Sequence, residues 1–218
     1  MNIQACIFDL DGVIVDTAKY HYRSWRKAAN SLGFDFSEAQ NEELKGVSRM
    51  ESLEIILSIG KKTLDQTAKI ALATKKNDWY LEQLATMKSD EILPGVVDFL
   101  NELKEKKIRI ALGSASKNAV LTLQKVNLLD YFEVVIDGTK TTRSKPDPQV
   151  FQLGAQGLGI APENCIVFED AAKGIAAARS AGMYAVGIGN VDELAEAHTV
   201  IPSFKHINFE YMKRLLDC

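Results

Sequence analysis

Cysteine and histidine are scarce in this chain, with three of each. Cys6, Cys165 and Cys218 form no Cys-x-x-Cys pair, and His21, His198 and His206 form no His-Glu-x-x-His run. A disulfide scaffold, a thiolate metal cluster and a zinc protease of that type are thereby excluded. Cys6 and Cys165 sit inside apolar runs, which marks them as buried thiols without chemistry. No apolar stretch reaches the roughly 18 residues of a membrane span. The first apolar run is broken by Asp9, and no signal-peptide cleavage pattern follows it. These features lead us to expect a cytoplasmic protein with no membrane partner. A basic excess is missing as well: 26 Lys and Arg face 29 Asp and Glu, a formal charge of -3. That balance leaves no broad positive face for a nucleic-acid backbone. There is no Gly-x-x-x-x-Gly-Lys-Ser/Thr loop, and the stretch from Gly187 to Asp192 has Gly-x-Gly without the final glycine, after a late strand. Both nucleotide-binding fingerprints therefore fail.

What is present is an ordinary globular composition in 218 residues, 46% hydrophobic and 25% charged. That suffices for one large α/β domain or a core with a smaller insert. Short β-rich apolar runs occur at 3–8, 108–112, 134–136, 165–168, 185–188 and, more weakly, 200–201. Most are separated by helix-period segments at 96–106, 118–126, 148–158 and 171–181, with a last one at 209–216. This alternation predicts an α/β fold with a Rossmann-like parallel sheet. Segment 171–181 is mostly Ala and Gly, which suits close packing of a helix on the sheet. The alternation fails between about residues 16 and 90. There Tyr22, Trp25, Ala29 and Leu32 mark one amphipathic helix, further helices are expected at 49–59 and 64–87, and no strand candidate occurs. We therefore expect a helical cap domain over 16–90, inserted into a catalytic core made of 1–15 and 91–218, with Leu93-Pro94-Gly95 marking the return.

The first apolar run ends in Asp9-Leu10-Asp11-Gly12. In open parallel sheets ligands bind beyond the carboxyl ends of the strands, although Asp-x-Asp-Gly by itself also suits a surface turn. The fourth run ends in Glu169-Asp170, so two acidic pairs leave one edge if both strands are parallel in one sheet. Two carboxylates about 4 Å apart repel by roughly 1 kcal/mol in water and about 4 kcal/mol at an effective dielectric of 20. A cation is the natural remedy, and an oxygen-only set with no nearby Cys or His suits Mg2+ rather than Zn2+. The second core run leads into Ser114-Ala115-Ser116-Lys117-Asn118. Amides, a hydroxyl and the start of a helix favour phosphate there, while Ser114 also suits a plain helix cap. Lys145, in Ser144-Lys145-Pro146-Asp147, would alone be a solvated charge; its interest comes from acids and phosphate donors arriving at the same edge.

In order and spacing, this set resembles the haloacid dehalogenase-like superfamily of phosphotransferases, all four of whose motifs are present over essentially the whole chain. The run Asp9 to Thr17, the segment His21-Tyr22-Arg23-Ser24-Trp25, Leu44-Lys45-Gly46-Val47-Ser48-Arg49 and Lys75-Lys76-Asn77-Asp78 are similar to its hexose-phosphate mutases. The Lys-Gly-Val-Ser-Arg run is the more selective clue, since the Asp motif is shared with many related phosphatases. The resemblance implies that Asp9 is a nucleophile forming an aspartyl phosphate and that Asp11 is the general acid and base. It implies Mg2+ held by Asp9, the main-chain carbonyl of Asp11, Glu169 and Asp170, with Asp170 the more direct ligand. Ser114 and Lys145 would hold the transferring phosphoryl oxygens.

The implied substrate is β-D-glucose 1-phosphate, with β-glucose 1,6-bisphosphate as intermediate and activating phosphoryl donor. Arg49, aided by Ser116 and Asn118, would take the phosphate that is not reacting. Lys45, Gly46, Val47, Ser48, Ser52 and Lys76 would contact the sugar or shape the cap's inner face, in company with Trp25, Ala115 and Lys117. Thr17 would lie where the cap leaves the core, and His21 would couple closure to Asp11. Read as residues alone, His21 also suits a structural role and Trp25 the cap's core. A sugar-phosphate or phosphoglycolate phosphatase would use the same core residues with water as final acceptor. A phospho-receiver domain shares the strand-end Asp but needs no helical cap. The expected partner is a small sugar phosphate, and the expected state is a monomer.

Overall fold

The computed structural model describes residues 2–216; Cys218 lies outside them. The apolar runs form six strands: β1 (Ala5–Phe8), β2 (Arg109–Gly113), β3 (Val134–Ile136), β4 (Cys165–Glu169), β5 (Tyr184–Ile188) and β6 (Thr199–Ile201). They make one sheet in the order β3-β2-β1-β4-β5-β6, and every pairing is parallel. Helices α1 (Ala18–Ser31), α2 (Glu38–Asn41), α3 (Arg49–Ile59) and α4 (Gln66–Leu84) follow β1. The remaining helices are α5 (Val96–Glu105), α6 (Ala119–Lys125), α7 (Gln149–Leu158), α8 (Ala172–Ser180) and α9 (Phe209–Leu216).

The parallel sheet is covered on both faces, which is why its strands read as continuous apolar runs instead of alternating ones. Along β1, Cys6 and Phe8 point to one side, into a cluster with Leu112, Phe99, Phe168 and Phe204. Ala5 and Ile7 point to the other, into a cluster with Val167, Phe151, Ala155 and Ile175. Phe8 stacks on Phe168 with ring centroids 4.8 Å apart and meets Phe99 and Phe132 edge-on. The helices after β1 carry a third apolar cluster of their own, including Trp25, Phe36, Leu53, Ile56 and Leu57. Cys6 and Cys165 are buried, and burial pushes both thiols up, Cys165 to about 11. Among the described residues no helix is long and apolar enough to cross a membrane.

The expected helix over 64–87 is trimmed to Gln66–Leu84 for two different reasons. Its start is set by Asp65, whose carboxylate accepts a hydrogen bond from the Ala68 amide at 2.8 Å, a side-chain N-cap. Its end has no glycine or proline signal; the chain turns off because Leu84 and Met87 enter the cluster under β1. Helix α2 was not foreseen. It is a single turn fixed by a capping box, with the Gln40 amide donating to Ser37 Oγ at 3.2 Å and the Ser37 amide donating to Gln40 Oε1 at 2.9 Å.

The small residues of α8 do more than pack. A Cβ on Gly174 would stand 2.0 Å from the carboxyl carbon of Glu169, so the glycine makes the space in which that carboxylate sits at the end of β4.

Replacing Phe8 by Ala leaves an aromatic cavity at the centre of the sheet. Urea denaturation should show a loss of about 3–5 kcal/mol; a loss below about 1 kcal/mol would contradict the assigned core.

Candidate active site

The sheet order brings the chemistry-bearing strand ends together. β1 and β4 are neighbours with Phe8 opposite Phe168, and the Asp9 amide donates to the Phe168 carbonyl at 2.9 Å. Asp9 and Glu169 therefore leave the same edge side by side, where the strand order reverses, the usual ligand position in such sheets. Ser114 follows β2 on the other flank of β1, its amide tied to the Ile136 carbonyl at 2.9 Å.

Lys145 closes this edge. Its Nζ lies 2.5 Å from Asp9 Oδ1 and 2.7 Å from Glu169 Oε2, with all three side chains buried. Burial opposes a charge on Lys145, but Asp9 and Glu169 together hold the ammonium above the usual lysine range. The second oxygen of Glu169 accepts from the Ala171 amide at 3.2 Å. Burial, with Asp9 and Asp170 nearby, pushes Glu169 well up from the carboxylate range while Lys145 pulls it down. Asp170 crosses over Gly12, which has φ +83°; a Cβ there would stand 2.1 Å from Asp170 Oδ2. Gly12 is thus required both by its left-handed backbone and by this close approach. Burial and then the charge of Asp9 raise Asp170 to about 7, against Lys45 at 3.8 Å and Lys145.

One carboxylate oxygen from each of Asp9, Glu169 and Asp170 lies within 4.8 Å of the others. This oxygen-only set fits a hard divalent cation such as Mg2+. Because both Glu169 oxygens already have partners, Asp9 and Asp170 are the freer donors.

Asp11, two residues beyond Asp9, is pushed up to about 6 by burial and then by Asp9; the Thr17 hydroxyl, Lys145 and Lys76 pull the other way. The Thr17 hydroxyl donates to Asp11 Oδ1. His21 Nε2 lies 3.8 Å from the same carboxylate, and His21 Nδ1 lies 3.1 Å from Lys76 Nζ. Burial, then the charges of Lys76 and Arg49, hold this imidazole well below its ordinary range, so it is neutral. With Nδ1 facing an ammonium, its proton belongs on Nε2, toward Asp11. Lys76 itself is lowered to about 7 by burial and by Arg49, with Asp11 opposing. Its Nζ lies over the rings of Trp25 and Tyr80, at 4.5 and 5.1 Å from their centroids.

The cavity above this edge is lined on the sheet side by Asp9, Asp11, Asp170 and the segment Ala115, Ser116, Lys117 and Asn118. The facing wall is helical, with His21, Trp25, Lys45, Gly46, Val47, Arg49, Ser52 and Lys76. Hydroxyls organise the sheet side: the Ser116 amide donates to Ser114 Oγ at 3.1 Å, and the Asn118 amide to Ser116 Oγ at 3.2 Å. Lys45 pairs with Glu42 at 2.5 Å. Buried Ser52 donates to the Ser48 carbonyl at 3.0 Å.

Five residues expected at the site stand behind or beside this cavity instead of lining it: Thr17, Ser114, Glu169, Lys145 and Ser48. The first four are buried and reach the cavity through neighbours. Ser48 is turned away because its hydroxyl caps α3, accepting from the Glu51 amide at 3.4 Å, and it lines an adjoining cleft with Lys145. Ala18, Asn41, Leu44 and Asn77 line the cavity without having been assigned a role from the sequence. Asn41 Oδ1 is buried with no hydrogen-bond partner. Arg49 Nη2 donates to Asn77 Oδ1 at 2.6 Å.

A family model for haloacid dehalogenase-like hydrolases matches residues 3–182, and the chain belongs to that family. A β-phosphoglucomutase of Bacillus subtilis is 38% identical over 96% of this chain and 94% of its own length. The crystal structure of a β-phosphoglucomutase from Clostridium difficile superposes with a TM-score of 0.95 at 43% identity, covering 99% of this chain and 97% of that one. A phosphorylated carbohydrates phosphatase of Thermotoga maritima is 32% identical over 83% of this chain and 82% of its own length.

A cation bound here displaces a proton from Asp170, which is raised to about 7. Protonation below that value competes with the metal, so the apparent Kd for Mg2+ should rise about tenfold from pH 8 to pH 6. Calorimetric titration at both pH values measures this; an unchanged Kd would contradict the assigned ligand.

Proposed function

We propose that this chain is a β-phosphoglucomutase, interconverting β-D-glucose 1-phosphate and β-D-glucose 6-phosphate through an aspartyl-phosphate enzyme and β-glucose 1,6-bisphosphate. The observation that carries this is a guanidinium, that of Arg49, on the wall of the cavity of Asp9, free of any ion pair among the described residues. Arg49 is partly buried on that wall, and Asp78 acts on it only from a distance. A hydrolase acting on a monophosphate needs one anion site, at Asp9. A mutase needs another for the phosphate that is not reacting, and a guanidinium fork suits it. The full-length similarity to two β-phosphoglucomutases supports the same reading.

In this mechanism Asp9 attacks phosphorus in line, the phosphorus–oxygen bond to the sugar breaks, and an acyl phosphate forms on the carboxylate. Asp11 gives its proton to the departing sugar oxygen and takes one from the incoming hydroxyl; a carboxyl raised to about 6 suits both directions near neutral pH. The Thr17 hydroxyl bonds to this carboxylate and holds its orientation, while the Nε2–H of His21, 3.8 Å away and without a hydrogen-bond partner among the described residues, points toward it. Ser114 and Lys145 aim positive charge at the transferring oxygens. Mg2+, held by Asp9, Asp170 and the Asp11 carbonyl, would neutralise phosphoryl charge, with Glu169 fixing Lys145 beside it. The phosphoenzyme then donates to the 6-hydroxyl of glucose 1-phosphate, and the bisphosphate turns around so that its 1-phosphate returns to Asp9.

Residues 16–90 act as a cap over a core of 1–15 and 91–218. Closure keeps water from the acyl phosphate, and opening permits the turn. Ser116, Lys117 and Asn118 contribute to the distal anion site. Lys45, Gly46, Val47, Ser52 and Lys76, with Trp25 and Ala115, shape the sugar pocket. A sugar phosphate is the small-molecule partner, and the setting is the cytoplasm, where such sugars are made and kept.

Phosphorus NMR of the enzyme with Mg2+, β-glucose 1-phosphate and catalytic β-glucose 1,6-bisphosphate should show glucose 6-phosphate accumulating with little inorganic phosphate. Stoichiometric phosphate release would assign the chain to the sugar-phosphate phosphatases instead.

A further inference from the structure

The cavity contains one contact that neither the core chemistry nor the sugar pocket uses. Asn77 Oδ1, on α4, accepts from Arg49 Nη2 at 2.6 Å and from Asn118 Nδ2 at 2.9 Å. The two donors come from opposite walls, Arg49 from the start of α3 and Asn118 from the residue before α6. The polarity of this contact is not ambiguous. A guanidinium can only donate, so Asn77 must present its oxygen, and Asn118 must then present its amide nitrogen. Arg49 is thereby left with a neutral acceptor where its charge calls for an anion, and among the described residues it makes no ion pair.

We propose that Asn77 is the positioning residue of the distal phosphate site. Its oxygen occupies the place of a phosphate oxygen between Arg49 and Asn118, keeps both donors aimed at one point, and ties the helical insert to the sheet edge until a phosphate displaces it. The inference rests on the reading above that Arg49 and Asn118 receive the phosphate that is not reacting.

The chemistry explains why the residue is an amide. A hydrogen bond from a guanidinium to a neutral oxygen is weaker than one to a dianionic phosphate, so Asn77 holds the donors yet yields to substrate. A carboxylate of the same shape would pair with Arg49 and oppose the incoming phosphate. An apolar side chain would leave both donors unpaired and the two walls untied.

Two variants separate this role from plain packing. Asn77→Asp preserves shape, so ligand-free enzyme should remain as compact as wild type by small-angle scattering. Its KM for β-glucose 1-phosphate should nevertheless rise about tenfold or more, with kcat changed far less. That rise should exceed the change in KM for acetyl phosphate, which has no distal phosphate, at least about fivefold. Asn77→Ala should enlarge the ligand-free enzyme, because the tie is gone. An Asn77→Asp enzyme with wild-type KM, or an Asn77→Ala enzyme as compact as wild type without ligand, would overturn the proposal. If wild-type enzyme fails to convert β-glucose 1-phosphate, the mutase reading falls on its own, while the scattering comparison still decides whether Asn77 holds the two walls together.

Discussion

The site depends on one buried ammonium. Lys145 Nζ sits between Asp9 and Glu169, and without it two carboxylates would face each other inside protein. Breaking such a buried set by removing one partner costs about 3–5 kcal/mol, because the remaining charge is left unpaired. The arrangement therefore constrains the backbone as well as the chemistry. β1 and β4 must be adjacent, parallel and in register, with Phe8 opposite Phe168, for Asp9 and Glu169 to meet the same lysine. Gly174 and Gly12 supply the space that the Glu169 and Asp170 carboxylates occupy. The register of β1 and β4 and the two glycines together let the acidic edge meet a single lysine.

From that edge outward, charge is matched in steps. Asp11 is held by Thr17 and faced by His21, His21 is backed by Lys76, and Lys76 shares its surroundings with Arg49. With His21 neutral between them, Lys145, Lys76 and Arg49 carry positive charge from the reacting end toward the far wall, an arrangement that on the proposed reading suits a substrate with a phosphate at each end. The similar proteins include both a β-phosphoglucomutase and a phosphorylated carbohydrates phosphatase. Under the proposed mutase reading, the far wall is where the two activities part.

Much of this was legible in the sequence because it is written in local signals. Strands buried on both faces read as apolar runs, and the Asp-x-Asp and Glu-Asp pairs mark where two of those runs end. The less legible parts are set by tertiary contact. Lys76 follows Lys75 on a helix and carries no local mark of burial, yet it lies beneath Trp25 and Tyr80 and against His21. Asn41 and Asn77 are short polar side chains whose helical positions match those of solvent-facing residues; only the facing wall gives them a role. Ser48 was legible as part of a selective motif, but the same residue also caps α3, and the cap determines where its hydroxyl points. The end of α4 lacks a sequence stop because packing of Leu84 and Met87 sets it.

The central claim is that the carboxylate of Asp9 carries the phosphoryl group. Enzyme loaded by acetyl phosphate or β-glucose 1,6-bisphosphate, quenched in acid and reduced with borohydride, converts an aspartyl phosphate to homoserine at the modified position. Peptide mass mapping should find that conversion at Asp9 alone and lose it in Asp9→Asn. Conversion at another residue, or full mutase turnover in Asp9→Asn, would contradict the account.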